Sequence, residues 1–460
     1  MNKIKTILVA ALCLLGMNAM AGVWDTDYPA LEKSIQTVRI NSTAEYRITD
    51  FGAKPNGTAK ANQKAINKAI AKCSKKGGKV IVPPGVWKTG AITMLSNVNL
   101  VIEKGATLEF AFDLDLYPVV ETRWEGLGCY NISPLIYANG QHDIAITGEG
   151  TIDGAASKDA WWFWQQTKPV FGWTEGRYTM IPSRKALQEM SENGTPISER
   201  IFNKVNPMRP QSVNFMNCER VLIQDVTLLR SPFWVLHPCL CTDVIVRGVK
   251  VINDGPNGDG CDPESCNRVL IENCIFQTGD DCIAIKSGRN KDGRMWNVPS
   301  QNMIVRNCQM KDGHGGIVVG SEISGGYKNL FVENCQMDSP NLDRVVRIKT
   351  NTARGGVIEN IYVRNVEVGE CREAVLKINL DYEPKEQAER GFIPTVQNVF
   401  LENVNCKKSK YGAYVVGLND QVQIHNINVK NCTWTGVESQ CHRMEGKVGD
   451  IHFENLKMTK

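Results

Sequence analysis

Two adjacent carboxylates open a strand in G-D-D-C-I-A-I-K. Asp280 and Asp281 stand before the apolar run Cys282–Ile285, and nothing basic follows until Lys286. A third acid, Asp259, lies 21 residues earlier in N-G-D-G. His314, in G-H-G, lies 34 residues after Asp280, and Arg347, in R-I-K with Lys349, lies 33 beyond that. Tyr382, in D-Y-E-P, is 35 residues past Arg347. Three carboxylates brought close together cannot all ionise freely, so at least one pKa is raised. A proton-holding acid beside an ionised carboxylate is what glycosidic cleavage needs. Cations nearby suit a sugar bearing its own carboxylate, with Arg gripping it bidentately. This chemistry requires residues more than a hundred positions apart to share one wall.

A repeat supplies that wall. VLIENC (269–274), MIVRNC (303–308), LFVENC (330–335), IYVRNV (361–366), VFLENV (399–404), INVKNC (427–432) and IHFENL (451–456) are copies of one short alternating strand ending in Asn. VLIQDV (221–226) and VIVRGV (244–249) put Asp and Gly in the Asn slot. The turn positions 225, 248, 273, 307, 334, 365, 403, 431 and 455 are 23 to 38 residues apart. The shortest step holds about three short strands with their turns, and longer steps carry inserted loops. Asn tolerates the left-handed backbone of a tight bend, and stacked Asn side chains bond along the stack. The pattern predicts an all-β fold, a single-stranded right-handed parallel β-helix. The recurring L-x-x-L-x-L of a leucine-rich repeat is absent. Coils lie about 4.8 Å apart, so Asp259, the Asp280–Asp281 pair, His314, Arg347 with Lys349, and Tyr382 rise in order along one side.

Other segments complete the expectation. Gln63–Lys76 reads as a short N-terminal capping helix with Ala65, Ile66, Ala69, Ile70 and Cys73 on one face, ended by Gly77-Gly78. Such a cap covers the open strand edges of the stack. Residues 155–209 depart from the repeat and are read as an insertion over the groove of one domain spanning 22–460. The W-W-F-W stretch at 161–164 either stacks on sugar rings or anchors that insertion. His237 is expected to pack beside Trp234. The cysteines at the Asn-Cys corners (274, 308, 335, 432) read as core stacking. Pairings Cys239/Cys241 and Cys261/Cys266 are not favoured over free thiols.

Met1–Ala21 has the form of a secretory signal: Lys3 and Lys5, an apolar Ile7–Leu15, then Ala19-Met20-Ala21. The expectation is a secreted or periplasmic protein without a membrane span. Removing that segment lowers the formal charge from +4 to +2, which argues against a nucleic-acid partner. No cysteine or histidine spacing fits a zinc site, and no cofactor is implied. A monomer is expected.

The four ordered motifs N-G-D (257–259), G-D-D (279–281), G-H-G (313–315) and R-I-K (347–349) resemble the signatures of the polygalacturonase family, family 28 of the glycoside hydrolases. The resemblance runs from about Tyr46 to the C-terminus, through D-F-G-A (50–53), V-P-P-G (82–85), G-T-I-D-G (150–154) and S-P-F-W-V-L-H-P (231–238). It implies a general acid at Asp280, water-activating carboxylates at Asp259 and Asp281, and a supporting histidine at His314. It places Arg347, Lys349, Tyr382 and Asn257 at the substrate. It further implies single-displacement hydrolysis with inversion, no metal, and a pectic polysaccharide or oligogalacturonide substrate. Gly258 stands where the family has Thr, which leaves homogalacturonan and rhamnogalacturonan both open. T-R-W-E-G (122–126) and G-S-E-I-S-G-G (320–326) resemble the bacterial exo-acting branch, and imply that Arg123 and Glu322 face the terminal sugar. A β-helix polysaccharide lyase and a non-catalytic glycan binder are the competing classes.

Overall fold

The computed structural model describes residues 22–165, 169–439 and 442–460; the signal read at Met1–Ala21 lies outside them. Its strands coil into a parallel β-helix. One turn runs Thr242–Arg247, Lys250–Asn253 and the bridge residues Cys261 and Glu264; the next runs Asn267–Glu272, Ile275–Thr278 and Ile283–Ile285. Each strand pairs in parallel with its copy one turn away, as in Val244↔Val269↔Met303↔Leu330. These inward residues fill the core between the walls.

The nine turn positions all hold positive φ, from Asn455 at 49° to Gly248 at 64°. Each turns the chain from the first wall into the second. The later ones form the expected amide ladder, with Asn403 donating to Asn365 at 3.2 Å and Asn455 to Asn431 at 3.0 Å. A second left-handed column was not anticipated. Asp143, Arg220, Asp243 and Arg268 occupy it early, tied by Arg220–Asp143 and Arg268–Asp243 ion pairs. Asn302, Asn329, Asn360, Asn398 and Asn426 continue it with amide bonds of 2.7–3.1 Å. The strand motif does not show this second corner, because the corner sits one residue before each copy, as Arg268 does before 269–274 and Asn302 before 303–308.

The capping helix runs Ala59–Ser74 and begins four residues earlier than the apolar stripe suggests, because Thr58 caps it by accepting from the Ala61 N–H. Two further short helices, Val23–Asp27 and Tyr28–Ser34, lie on the outer side of the first wall, where Trp24 and Tyr28 meet Phe331. The 14 cysteines with described side chains are buried free thiols, including 239, 241, 261 and 266.

The third wall positions the site. Its strands are Ile92–Thr93, Ile136–Asn139, Val213–Met216 and Leu236–Cys239, then Ile283–Ile285, Ile317–Gly320, Arg344–Lys349, Ala374–Asn379, Tyr411–Val416 and His442–Glu445. Bridges Leu236↔Cys261↔Ile283 and Cys239↔Glu264↔Lys286 join the two runs. An antiparallel hairpin, Val119–Trp124 with Leu127–Ile132, lies over the early part of this wall. Residues 155–165 and 169–209 leave the coil, and the latter carry a helix, Ile181–Glu192. Trp161, Phe163 and Trp164 of that segment are buried, which decides W-W-F-W in favour of anchoring. No helix among the described residues is long and apolar enough to cross a membrane.

Candidate active site

Asp259, Asp280 and Asp281 each bring a carboxylate oxygen within 4.8 Å of the others. The backbone explains the meeting: the Gly260 N–H donates to Asp281 O, and the His314 N–H to Asp280 O at 3.1 Å, so each group is one rung from the next. Gly313 permits this approach, since a Cβ there would lie 2.3 Å from Asp280 O at a φ of +128°.

The three acids differ in surroundings. Asp280 is the partly exposed one. Its Oδ1 accepts from the Asp281 N–H at 3.0 Å and pairs with His314 Nδ1 at 3.0 Å, and neither bond uses Oδ2. The bond to Asp280 raises the His314 pKa against the opposing effect of burial. Asp281 is fully buried. Burial opposes its charge, but Lys349 at 2.7 Å and Arg347 at 3.1 Å outweigh it and hold the carboxyl well below the usual range. Asp259 is also buried, and burial together with Asp262 and Asp280 pushes it well above the usual range despite Lys286 at 3.8 Å. The sequence places the retained proton on Asp280. Asp259 and its neighbour Asp262 resist ionisation, because they lose water without gaining a hydrogen-bonded cation.

Arg347 and Lys349 share Asp281 and stand 5.6 and 5.4 Å from the Tyr382 ring centroid, so Tyr382 does join the group. Asn257 is held by Arg209 at 2.8 Å. Gly258 leaves no room for the expected Thr: a Cβ there would meet Asn253 Nδ2 at 2.6 Å. Arg123, expected at the terminal sugar, lies beneath the surface. It is buried, donates to Glu264 at 2.9 Å and lies 3.8 Å over Trp296, because the hairpin folds it beneath the surface. Glu322 is likewise buried, paired with Lys286 at 3.1 Å and Arg289 at 3.8 Å. His237 packs on Trp234 as expected, at 5.0 Å, and also bonds Glu264 at 2.9 Å. His237, Cys239 and Glu264 could between them offer metal donors, but Glu264 is already taken by Arg123 and His237.

Sequence reasoning missed Asp262 and Lys286. Lys286 Nζ is buried within 3.1–3.8 Å of Glu322, Asp262 and Asp259, and lies 4.6 Å over Trp234. The signal was available: Asp262 follows Asp259 by three residues, and Lys286 is the cation that closes the G-D-D strand. Beyond it, Arg289 and Arg354 tie Glu125, Glu383 and Glu386 together. A cavity of about 720 Å³ lies between the helix Ile181–Glu192 and residues 383–387, with Arg184 and Arg289 on its lining.

An exposed acid–histidine pair above two buried carboxylates, on a parallel β-helix wall, defines a glycan-cleaving class of protein. Residues 198–449 match the family Glycosyl hydrolases family 28, and the chain belongs to that family: it is a glycosidase. It is 38% identical to a hyperthermoactive exopolygalacturonase from Thermotoga maritima, whose structure aligns over 94% of this chain and 95% of that one with a TM-score of 0.87. A probable polygalacturonase from Vitis vinifera is 28% identical over 79% of this chain and 68% of its own. An exo-poly-alpha-D-galacturonosidase from Dickeya chrysanthemi is 27% identical over 77% of this chain and 62% of its own.

Proposed function

We propose that the protein is an exported hydrolase that removes galacturonic-acid units from the ends of pectic chains, by single displacement with inversion. Asp280 gives its proton to the leaving glycosidic oxygen through Oδ2 as the bond to C1 breaks. A water adds its oxygen to C1 and passes a proton to the ionised carboxylate of the Asp259–Asp281 pair. Asp281, kept ionised by Arg347 and Lys349, holds that water. His314 orients the acid, and Arg347, Lys349 and Tyr382 receive the sugar carboxylate.

Carboxyl oxygens within 4.8 Å of one another are closer than the roughly 6.5–9.5 Å usual for inversion. Burial favours inversion. A nucleophilic carboxylate must touch C1, whereas Asp259 and Asp281 are 3% and 0% exposed and reach a sugar only through water. The relatives named above support the substrate and terminal attack, and so does the shape of the wall. Its outward residues Tyr137, Asn214, His237 and Asp262 are buried before the site, and Tyr414 and Arg443 emerge after it. In this reading the hairpin and the 155–209 insertion stop the chain at one end.

The carrying observation is the pairing of Asp280 with His314 above the buried acids. The test is a product profile on polygalacturonate and rhamnogalacturonan, with the first anomer read by NMR. A single released monomer of inverted configuration is expected. A ladder of oligomers would refute terminal attack, retained configuration the mechanism, and an ultraviolet-absorbing unsaturated product the hydrolase reading itself.

A further inference from the structure

Tyr382 lies in D-Y-E-P-K-E-Q-A-E-R (381–390), a charged stretch without apolar periodicity. It belongs to the long connection between the strands Ala374–Asn379 and Thr395–Lys408. Such a connection has no apolar face to bury, so polar ties must fix it. The ties converge on Glu386, four residues after the tyrosine. Its Oε1 accepts from Arg289 Nε at 2.9 Å and Nη2 at 2.5 Å, and from Asn290 Nδ2 at 3.2 Å. Its Oε2 accepts from Arg354 Nη1 at 2.5 Å and from Asn351 Nδ2 at 3.3 Å. The same Asn351 amide donates to Tyr382 O at 2.8 Å, and the Tyr382 N–H donates to Thr350 O at 3.0 Å. Burial opposes the Glu386 charge, but Arg289 and Arg354 outweigh it and draw its pKa down to about 2.

We propose that Glu386 is a positioning residue for the hydrolysis: it clamps the 380–394 connection to Arg289 and Arg354, and so fixes the Tyr382 ring where the sugar carboxylate is received. The proposal rests on the galacturonide reading above and adds what holds its tyrosine in place. Three observations carry it. The Tyr382 ring meets Arg347 and Lys349 only by cation–π contacts of 5.6 and 5.4 Å, too weak to order a loop. The groups that Glu386 grips are rigid, because Arg289 and Arg354 are buried and Asn351 fastens the tyrosine backbone itself. Arg289 also donates to Glu125 at 3.1 Å in the hairpin turn, and Glu125 accepts from Arg184 of the helix Ile181–Glu192 at 2.8 Å. The chain Arg184–Glu125–Arg289–Glu386 therefore joins the insertion and the hairpin to the tyrosine loop. Glu386 acts through Tyr382 rather than on the sugar, since both its oxygens are taken and its side chain is 9% exposed.

Glu386→Gln keeps the shape of the clamp and removes the charge that two guanidiniums share. Hydrogen exchange read by mass spectrometry should quicken across 381–390 and stay unchanged in the coil strands. On polygalacturonate KM should rise about tenfold, the lower range for a hydrogen bond to a charged group, while kcat stays within about twofold. In a Tyr382→Ala background the same substitution should change kcat/KM by less than about twofold, because the residue it positions is gone. Unchanged exchange would overturn the clamp. A full loss repeated in the Tyr382→Ala background, or a fall in kcat with KM kept, would overturn the positioning role. If Glu386→Gln does not fold, Arg390→Gln takes its place. Arg390 braces the same turn, donating to Glu383 O at 3.1 Å, Pro384 O at 3.0 Å and Glu386 O at 3.2 Å, without serving as the carboxylate's counter-ion. It should quicken the same exchange and raise KM about threefold, and an unmoved KM would count against the proposal. Cleavage by the unmodified protein tests the functional reading separately: without it the hydrolase falls, and the exchange rates still decide whether Glu386 holds the Tyr382 loop.

Discussion

One wall of this β-helix behaves as two materials. From Tyr137 to Asp262 its outward residues are roofed by the 119–132 hairpin: Thr122 bonds Asn214 at 3.0 Å, and Tyr137 donates to Glu121 O at 2.6 Å. From Tyr414 to Arg443 the same face meets solvent. Strand register is unchanged across the boundary; only the covering differs. Under the roof, charges are buried and must be paired, so they carry stability as well as chemistry. Beyond it, charges are screened and worth little to the fold, which leaves them free for ligands.

That contrast can be broken in order of expected effect. Asp280→Asn, at the boundary, should fold normally and lose about 10²–10⁴ in kcat, the worth of a general acid; wild-type turnover on polygalacturonate would remove Asp280 from the mechanism. Arg123→Met strips the counter-ion from Glu264 beneath the hairpin, and should cost about 3–5 kcal/mol in a denaturant titration. A loss as small as that of Arg443→Gln would erase the distinction between the two regions.

The buried acids should respond with opposite signs. Asp281 is held low, so its stabilisation is present above the ordinary aspartate range and is lost as pH falls. Asp281→Asn should therefore lower the melting temperature at neutral pH. Asp259 is held high, so ionising it costs stability as pH rises. Asp259→Asn should abolish activity yet raise the melting temperature at neutral pH, by on the order of 1 kcal/mol. Lys286→Met removes the cation that draws Asp259 down, and should move the acid limb of kcat/KM upward by about one pH unit; an unmoved limb would dissociate Lys286 from the base. The corner ladder bears on stability alone. Asn403→Ala at φ 52° should cost about 1–2 kcal/mol in thermal melts, and Asn403→Gly should recover most of it.

Much of this was legible in the chain. The Asn corners announced the coil, and the spacing from Asp259 to Tyr382 put the reactive residues on one wall in the right order. The capping helix was visible in Ala65, Ile66, Ala69 and Ile70, although its start depended on the Thr58 cap. What spacing did not disclose was depth. Arg123 and Glu322 read as sugar contacts because their motifs lie near the site, and both are buried in ion pairs. Asp262 and Lys286 are passed over although one stands three residues from Asp259 and the other closes the G-D-D strand, because spacing alone does not show that both lie beside Asp259. The W-W-F-W stretch offered no periodicity, and only packing separated an anchor from a stacking platform.

The sequence by itself determined the periodic quantities: the coil, its corners, and which side chains share a face, because strand pairing repeats with fixed geometry. The tertiary structure alone decided the aperiodic ones. Which acid keeps its proton depends on whether water or a cation reaches it, and that depends on a hairpin and an insertion whose placement no repeat encodes. The same holds for the end at which the wall is closed.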